Sequence, residues 1–365
     1  MSKIISIATG LPAYRYKQDE LFLFADDVYS KETTDSRKLK FLYNHSGINE
    51  RYSVLPDFNL PPASRTFFSA AKDLEPFPTI ESRMSCYHKE AANLSIKTIT
   101  DCIKGKIDKN EITHLITVSC TGMSAPGLDL QVMEQMDLPR HIVRTSINFM
   151  GCYAAVQALK LADAFCNSPI NTNVVVVCTE LCTLHFQKEI SPDNITASLL
   201  FGDGCAALLI QNNHSKVKGI RLKSFFSDVS FKGRNDMAWE LSSKGFLMTL
   251  TGYVPDLIKE DFKDLAKKAL DAGKLLTSDI THWCIHPGGK KILEAIAKSI
   301  DLKNESLQYS YDVLRDYGNM SSATILFVLK KIWEEVSAST LKIPVIFGAA
   351  FGPGLTMETF TATYD

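Results

Sequence analysis

Three residues whose types together can transfer an acyl group lie far apart in the sequence: Cys152, His286 and Asn319. Cys152 follows Gly151 and precedes residues 154–165, which are apolar on nearly every side and predict a buried helix. A cysteine in the first turn of that helix meets unpaired N–H groups and the positive end of the helix dipole. Both stabilise a thiolate, the reactive form of cysteine. Cys152 is therefore a candidate nucleophile, and a buried structural cysteine is the alternative.

His286 is the candidate base among the eight histidines. It follows the apolar residues 283–285 and precedes Pro287, and a residue before proline is held in an extended conformation. The glycines at 288 and 289 allow a ligand to approach the backbone closely. Strand ends are also where open α/β sheets bind ligands. A turn histidine without a catalytic role is the alternative, and the other histidines lie at strand starts or in mixed surroundings.

Asn319 lies in a turn formed with Gly318, and Ser321 or Ser322 can cap the helix that follows. Its carboxamide is a neutral donor that can polarise a carbonyl without taking up a proton, and a simple capping role is the alternative. Two donors aimed at one oxygen stabilise an enolate or a tetrahedral anion. Cysteine, histidine and asparagine are therefore an acyl-transfer set. Papain-type hydrolases use the same residue types, but the surroundings of Cys152 do not match their signature.

The elements that carry these residues occur twice in the same order. A strand beginning at His114 and another beginning at His282 are followed, at nearly equal spacing, by Cys152 and Asn319 respectively. Each then leads to an apolar helix and a buried strand. This pattern predicts an internal duplication with two α/β halves, and coincidence is the alternative. A pseudo-two-fold axis between the halves would bring Cys152 and Asn319 together.

The polar segment 211–215 is the predicted boundary between the halves. It gives an N-terminal half, residues 1–215, that carries the nucleophilic cysteine. The C-terminal half, residues 216–365, carries the histidine and the asparagine.

The composition excludes several classes of protein. Apolar residues make up 45% of the 365 residues, charged residues 22%, and the net charge is -1, so we expect a globular protein with no nucleic-acid partner. No apolar run reaches the roughly 18 residues of a membrane span, and the first residues form a strand pattern rather than a signal peptide. The nine cysteines show neither a disulfide framework nor a zinc motif. We therefore expect a cytoplasmic protein without a metal.

Five segments resemble type III polyketide synthases, the chalcone synthase-like enzymes, and occur in the order found there. They are Gly151–Ala154, Leu200–Gly204, Ile285–Gly289, Tyr317–Ser322 and Phe351–Thr356. The match extends from the first strand to the end of the chain. The Gly-Asn-Met-Ser-Ser and Gly-Pro-Gly-Leu-Thr motifs distinguish these enzymes from the ketoacyl synthase III group, which is similar in fold and in the catalytic set. Cys120, in the segment Ser119–Gly122, resembles bacterial-type members, which have a cysteine in the cavity.

The resemblance implies a thiolase-like fold with five layers (α-β-α-β-α), a homodimer, and buried sites reached by a coenzyme A tunnel. It implies that Cys152 takes an acyl starter from acyl-CoA as a thioester, with His286 keeping it as thiolate. His286 and Asn319 would hold the carbonyl of malonyl-CoA, whose decarboxylation gives an enolate that attacks the acyl group. The chain is then extended and cyclised. Coenzyme A thioesters are substrates, and no cofactor is implied.

The resemblance also assigns the pocket. Phe201 matches the aromatic gate between tunnel and cavity, with a core aromatic as the alternative. Met248 replaces the second gating phenylalanine of the plant enzymes and is more flexible. Trp239 falls where the plant enzymes place a glycine that lines the cavity. A tryptophan there should remove or redirect much of the plant cavity.

Four further positions follow from the same resemblance. Cys120 and Cys182 stand at plant threonine positions in the cavity, and Ser321 keeps the plant serine. Lys38 is the only basic residue retained from the plant tunnel mouth. Lys40 and Arg51 could compensate for the lost contacts to the coenzyme A phosphates, but a solvated surface charge is the expected role of both.

Two other functions stay open on the sequence. A ketoacyl synthase of the same fold would extend its starter once, whereas a polyketide synthase extends it repeatedly. A non-enzymatic or hydrolytic protein of the same fold would release no CO2 from malonyl-CoA. The sequence names neither the starter nor the number of extensions.

Overall fold

The computed structural model describes residues 2–167, 172–212, 217–338 and 343–365. Its α-helices in those ranges are α1 (Gln18–Tyr29), α2 (Thr33–His45), α3 (Ile80–Ile103), α4 (Leu128–Gln135), α5 (Ala154–Cys166), α6 (Pro192–Leu200), α7 (Val254–Gly273), α8 (Lys290–Ser299), α9 (Gln308–Tyr317) and α10 (Ala323–Ala338). Its strands are β1 (Ser2–Gly10), β2 (Tyr14–Lys17), β3 (Glu50–Ser53), β4 (His114–Ser119), β5 (Val143–Asn148), β6 (Asn173–Leu181), β7 (Asp203–Asn212), β8 (Ile220–Val229), β9 (Met237–Ser242), β10 (Gly245–Leu250), β11 (His282–Ile285), β12 (Val345–Gly352) and β13 (Thr356–Tyr364).

Nine strands form one mixed sheet in the order β11-β12-β13-β8-β1-β7-β6-β4-β5. On one side β4 is parallel to β6, β6 is antiparallel to β7, and β7 is antiparallel to β1. On the other side β11, β12, β13 and β8 repeat that order and those directions. The predicted duplication is therefore visible in the strand order, and the two halves meet where β1 pairs briefly with β8.

The two halves of the sheet are two layers, and the helices form the other three. Helix α3 packs on β1, β6 and β7, while α7 packs on β8 and β13. Between the halves, α5 and α10 contact each other; α5 also contacts β6, β7 and β13, and α10 contacts β1, β7 and β11. Both central helices belong to one buried cluster because they are apolar on most faces. This places their N-terminal ends near the middle of the molecule.

Cys152 and Asn319 precede these helices instead of lying inside them. Helix α5 begins at Ala154, so the prediction of Cys152 in the first helical turn is wrong. The chain turns at Gly151, which has φ +86° and approaches Pro353 so closely that a Cβ there would lie 2.2 Å from the proline Cδ. That turn delays the start of the helix.

Two further expectations bear on the chain as a whole. The predicted boundary at 215/216 lies outside the described residues. Within the described ranges, no helix combines the length and the apolarity that a membrane crossing requires.

Candidate active site

The three residues of the predicted acyl-transfer set line one cavity. Cys152, His286 and Asn319 are 9%, 1% and 3% exposed and all line it. We call it the central cavity, and its other lining residues are Phe201, Met237, Trp239, Met248, Leu250, Gly288, Ile292, Phe351 and Pro353. Because most of these are apolar, charges formed in the cavity would meet few competing water molecules.

Asn319 is oriented by hydrogen bonds at both ends of its carboxamide. Its Oδ1 accepts from the Ser321 backbone N–H at 2.9 Å and from the Thr324 hydroxyl at 3.4 Å. The Cys152 thiol also points to Oδ1, with Sγ 3.9 Å away. Nδ2 donates one hydrogen to the Gly288 carbonyl at 3.3 Å and has a second N–H to offer. Asn319 is therefore set as a donor beside the sulfur.

The backbone of Asn319 is paired with that of Phe201. The Asn319 N–H donates to Leu200 O at 2.9 Å, and the Gly202 N–H donates to Asn319 O at 3.0 Å, which forms an isolated parallel bridge. Phe201 ends α6 and lines the central cavity. The two hydrogen bonds therefore hold Asn319 beside the aromatic wall of the cavity.

His286 follows β11, where its backbone N–H donates to Ala349 O at 2.9 Å. Neither ring nitrogen has a hydrogen-bond partner among the described residues, although the side chain is almost fully buried. Burial lowers its pKa to about 3, so the imidazole is neutral at physiological pH. A buried neutral imidazole with an unused N–H can donate to a substrate oxygen in the cavity.

Burial also acts on the nucleophile. It raises the pKa of Cys152 to about 12, and the nearby Glu180 charge adds to the rise, while hydrogen bonding with Ser321 and Asn319 acts to lower the pKa. Before substrate binds, Cys152 is therefore a neutral thiol and His286 a neutral imidazole. The helix position was expected to favour a thiolate, but desolvation in this cavity is the larger effect.

Trp239, Met248 and Phe201 form a wall between the central cavity and a second cavity. Trp239 and Met248 face each other directly across the β9–β10 hairpin. The Trp239 ring meets that of Phe201 edge to face, with centroids 5.9 Å apart. We call the second cavity the rear chamber, and its lining includes Cys182, His185, Gln187 and Phe246. All three wall residues line both cavities, and their contact with substrate stays a prediction.

Cys120 and Ser321 lie beside the central cavity and are absent from the lining of both cavities. The Cys120 sulfur accepts from the Gly151 N–H at 3.2 Å and from the Ser321 hydroxyl at 3.6 Å. The Cys120 N–H donates to Glu180 Oε2 at 2.8 Å. Both residues therefore support the Cys152 turn. Cys182, by contrast, lines the rear chamber.

Lys38 is exposed on α2 and lines neither cavity. Arg51 differs from its predicted place on the surface, because it is only 4% exposed. Its Nε donates to Gln18 Oε1 at 3.0 Å, and its Nη1 donates to the Phe201 carbonyl. The prediction of a solvated charge is therefore wrong, and Arg51 supports the Phe201 bridge instead.

Sequence reasoning missed two buried residues near the site, Glu180 and His185. Glu180 is fully buried, accepts hydrogen bonds from Cys120 and Ser322, and has a pKa raised to about 7 by burial. His185 lines the rear chamber. The available signal was the position of these two titratable residues directly after the apolar, β-branched run of β6.

The arrangement can perform carbon–carbon bond formation through a thioester. A thiol can hold an acyl group, and two neutral donors can stabilise an enolate formed when a carboxylated thioester loses CO2. Within the described residues, no group of histidine, cysteine, aspartate and glutamate side chains is arranged to hold a metal ion.

Comparisons with known proteins agree with this chemistry. The family model for the N-terminal domain of chalcone and stilbene synthases matches residues 1–214, and the model for the C-terminal domain matches residues 223–363. Alpha-pyrone synthesis polyketide synthase-like Pks18 of Mycobacterium tuberculosis is 32% identical over 286 residues, which cover 77% of this chain and 72% of that protein. The structure of PKS-I from the brown alga Ectocarpus siliculosus matches with a TM-score of 0.92 and 26% identity, covering 100% of this chain and 98% of that one.

One relative is much longer than this chain. Probable polyketide synthase 1 of Dictyostelium discoideum is 29% identical over 366 residues, which cover 98% of this chain, yet the chain spans only 11% of that protein's length. The matches confirm the predicted thiolase-like fold and the predicted enzyme class. The chain belongs to the chalcone and stilbene synthase family of type III polyketide synthases, whose members join acyl units by decarboxylative Claisen condensation.

Proposed function

We propose that this enzyme loads an acyl-CoA starter on Cys152 and extends it with malonyl-CoA, using His286 and Asn319 as the two donors to the malonyl thioester. The observation that carries the assignment is the convergence of the three side chains on the otherwise apolar central cavity. Asn319 is already fixed as a donor, and His286 has both ring nitrogens available among the described residues.

Loading begins from neutral groups. The Cys152 sulfur attacks the acyl-CoA carbonyl, a carbon–sulfur bond forms, and the coenzyme A thiolate leaves. His286 takes the thiol proton as the bond forms and returns a proton to the leaving sulfur. Because both groups are neutral at rest, the proton moves during the attack instead of before it.

Extension then uses the same two donors. The malonyl thioester oxygen accepts hydrogen bonds from His286 and Asn319, its carbon–carbon bond to the carboxylate breaks, and CO2 leaves with an enolate in place. The enolate carbon attacks the acyl-Cys152 carbonyl and displaces the Cys152 sulfur, so the extended chain is left as a coenzyme A thioester. For a further extension Cys152 takes up this chain as it took up the starter, and coenzyme A leaves again. Loss of CO2 needs an electron sink, which two fixed donors supply. We therefore propose that no metal or redox cofactor takes part, so a chelator should leave the rate unchanged.

Repeated extension is favoured over a single condensation by the rear chamber beyond Phe201, Trp239 and Met248, because a lengthening chain needs a second space. The test is incubation of the purified protein with malonyl-CoA and a panel of aromatic and fatty acyl-CoAs, with product masses measured. Products of two or more extensions, followed by cyclisation, are expected. A single extension would favour a ketoacyl synthase, and absence of CO2 release would favour a non-enzymatic protein.

We further propose a cytoplasmic homodimer. Strand β5 is the outer strand of the nine-stranded sheet, and its Val143 is 47% exposed. Such an edge is a template for pairing with a second copy. A reducing compartment is supported by the need of Cys152 for a free thiol. A measured mass of one chain at micromolar concentration would contradict the dimer.

A further inference from the structure

His286 is held through its backbone, because neither ring nitrogen has a hydrogen-bond partner among the described residues. Its N–H donates to Ala349 O at 2.9 Å, and its carbonyl accepts from the Gly288 N–H at 3.0 Å. The direction of the imidazole therefore depends on where the chain lies at the end of β11. A contact that fixes this strand end also fixes the histidine donor.

The strand end is fixed by a hydroxyl group from another element. Among the strands that the structure describes, β11 lies at the end of the nine-stranded sheet and pairs with β12. Because the His286 N–H points toward β12, the Ile285 carbonyl of the same peptide unit points away from it. An outward carbonyl of an end strand has no ladder partner. The Ile285 carbonyl accepts instead from the Ser310 hydroxyl, at 2.6 Å, and Ser310 is fully buried.

Ser310 lies on α9, the helix that leads to the other donor. Helix α9 ends where the Gly318 N–H donates to Leu314 O at 2.9 Å, and Asn319 follows directly. Ser310 is about two helical turns before that end, on a continuous stretch of helix. The bond from Ser310 therefore joins the segment that carries His286 to the segment that carries Asn319.

Two weaker contacts join the same two segments. Asn319 Nδ2 donates to Gly288 O at 3.3 Å, and the Cys284 thiol donates to Ile325 O at 3.5 Å. An amide bond of 3.3 Å is long, and a thiol is a weak donor, so both tolerate small displacements. The Ser310 bond is the shortest of the three. We therefore expect it to determine how far apart the two segments lie.

This distance matters for the chemistry of the central cavity. Two donors stabilise one oxyanion when each lies about 2.7–3.1 Å from the position of its oxygen. If the end of β11 moved away from α9, an oxygen held by Asn319 would be out of reach of His286. A displacement of about 1 Å in a catalytic group can reduce a rate by about two orders of magnitude.

We propose that Ser310 is a positioning residue that sets the spacing of His286 and Asn319, so that both donate to the same thioester oxygen. This inference rests on the proposed function. Ser310 lines neither the central cavity nor the rear chamber, and it acts through the Ile285 carbonyl. No bond is made or broken at its hydroxyl group.

The test is a double-mutant cycle in the Cys152→Ala protein, which cannot hold an acyl group. CO2 release from malonyl-CoA then reports on the two donors alone. Ser310→Ala is expected to lower kcat about five-fold while Asn319 is present, with KM changed less than about two-fold. In the presence of Asn319→Ala the same substitution is expected to cost less than about two-fold. An oxygen with one donor left can follow that donor, so no spacing remains to be set.

Two further variants separate positioning from a general loss of stability. Ser310→Thr keeps a hydroxyl group and should retain at least about half of the rate. Ser95→Ala is the matched control, because Ser95 is also fully buried on a helix, donates to Ala91 O at 2.7 Å and lines neither cavity. It should lower the melting temperature and leave CO2 release unchanged. Equal losses of rate in Ser95→Ala and Ser310→Ala would overturn the proposal, as would a Ser310→Thr protein as slow as Ser310→Ala.

Ser310→Cys provides the test if Ser310→Ala does not fold. It nearly preserves the size of the side chain, but a thiol lies farther from a carbonyl, as the 3.5 Å contact of Cys284 shows. CO2 release is expected to fall about two- to three-fold, and an unchanged rate in the folded variant would overturn the proposal. Absence of CO2 release from the parent Cys152→Ala protein would contradict the proposed function. An equal loss from Ser310→Ala with and without Asn319 would contradict only the role of Ser310.

Discussion

Gly318 and Arg51 are in such close contact that a Cβ on Gly318 would lie 2.7 Å from Arg51 Cδ. Gly318 also has φ 67° and ψ -155°, a conformation that only glycine adopts readily. Arg51 donates to the carbonyl of Phe201, and Asn319 follows Gly318 directly. The close contact therefore fixes the wall residue and the catalytic donor together.

Gly318→Ala should destabilise the protein by roughly 1–3 kcal/mol and reduce polyketide formation, because it adds backbone strain and displaces Arg51. Thermal unfolding and product yield measure the two effects. Gly105→Ala is the matched control: Gly105 has φ +68°, but no atom lies within 4 Å of its added Cβ. If both variants lost the same activity, the link from Gly318 to the site would be contradicted.

Cys152→Ala should abolish the acyl adduct, because it removes the sulfur that forms the thioester. Intact-protein mass spectrometry after incubation with an acyl-CoA measures this directly. Cys102→Ala is the control, since its thiol is also buried but donates to the Ser6 carbonyl and lines neither cavity. It should keep the adduct. An adduct on Cys152→Ala would refute the assigned nucleophile.

Trp239→Gly should lengthen or alter the products, because removal of the ring joins the central cavity to the rear chamber. Leu241→Gly controls for the loosening of β9 by glycine, as Leu241 is on the same strand but 49% exposed. The product profile is measured by chromatography and mass spectrometry. An unchanged profile in Trp239→Gly, or an equal change in both variants, would show that Trp239 does not divide the two spaces.

Alkylation of Cys152 should accelerate with pH without reaching a plateau below pH 9. The raised pKa of about 12 makes the thiolate fraction, and so the rate with iodoacetamide, rise about ten-fold per pH unit. The labelled peptide is quantified by mass spectrometry, which separates Cys152 from the other cysteines. A plateau near pH 7 that His286→Ala removes would instead demonstrate a resting thiolate–imidazolium pair.

Glu180→Gln should remove a pH dependence of stability. The folded pKa of Glu180 is raised from 4.5 to about 7, so its contribution is fully present below pH 4.5 and is lost as the pH rises through about 7. Between pH 4.5 and pH 7 the free energy of unfolding of the wild type should therefore fall by roughly 3 kcal/mol relative to that of Glu180→Gln. Unfolding curves from pH 4 to pH 8 measure the difference. A constant difference would mean that Glu180 is not buried as a carboxyl group.

The family and the meeting of three residues in one cavity were predictable from the sequence. Cys152, His286 and Asn319 each stand at a glycine-containing turn next to an apolar element, and the repeated strand–helix order required two of them to meet. Strand β4 and the start of α8 at Lys290 agree with the sequence pattern because each has a clear hydrophobic period and a sharp boundary.

Properties that depend on burial by distant segments were not predictable. The charge of Arg51 suggested the surface, yet the packing of α6 and the turn at Gly318 enclose it. The position of Cys152 suggested a low pKa, but the apolar walls raise it. His185 and Glu180 are buried because segments that are distant in the sequence pack around them.

The most direct test asks whether the two donors act on malonyl-CoA in the central cavity. It compares CO2 release from malonyl-CoA by Cys152→Ala with release by the double variant Cys152→Ala/Asn319→Ala. We expect the single variant to release CO2 still, because His286 and Asn319 alone stabilise the enolate. We expect the double variant to release CO2 at least ten-fold more slowly, a loss of about 1.4 kcal/mol or more of that stabilisation. Equal release by the two proteins would contradict this role of the donors.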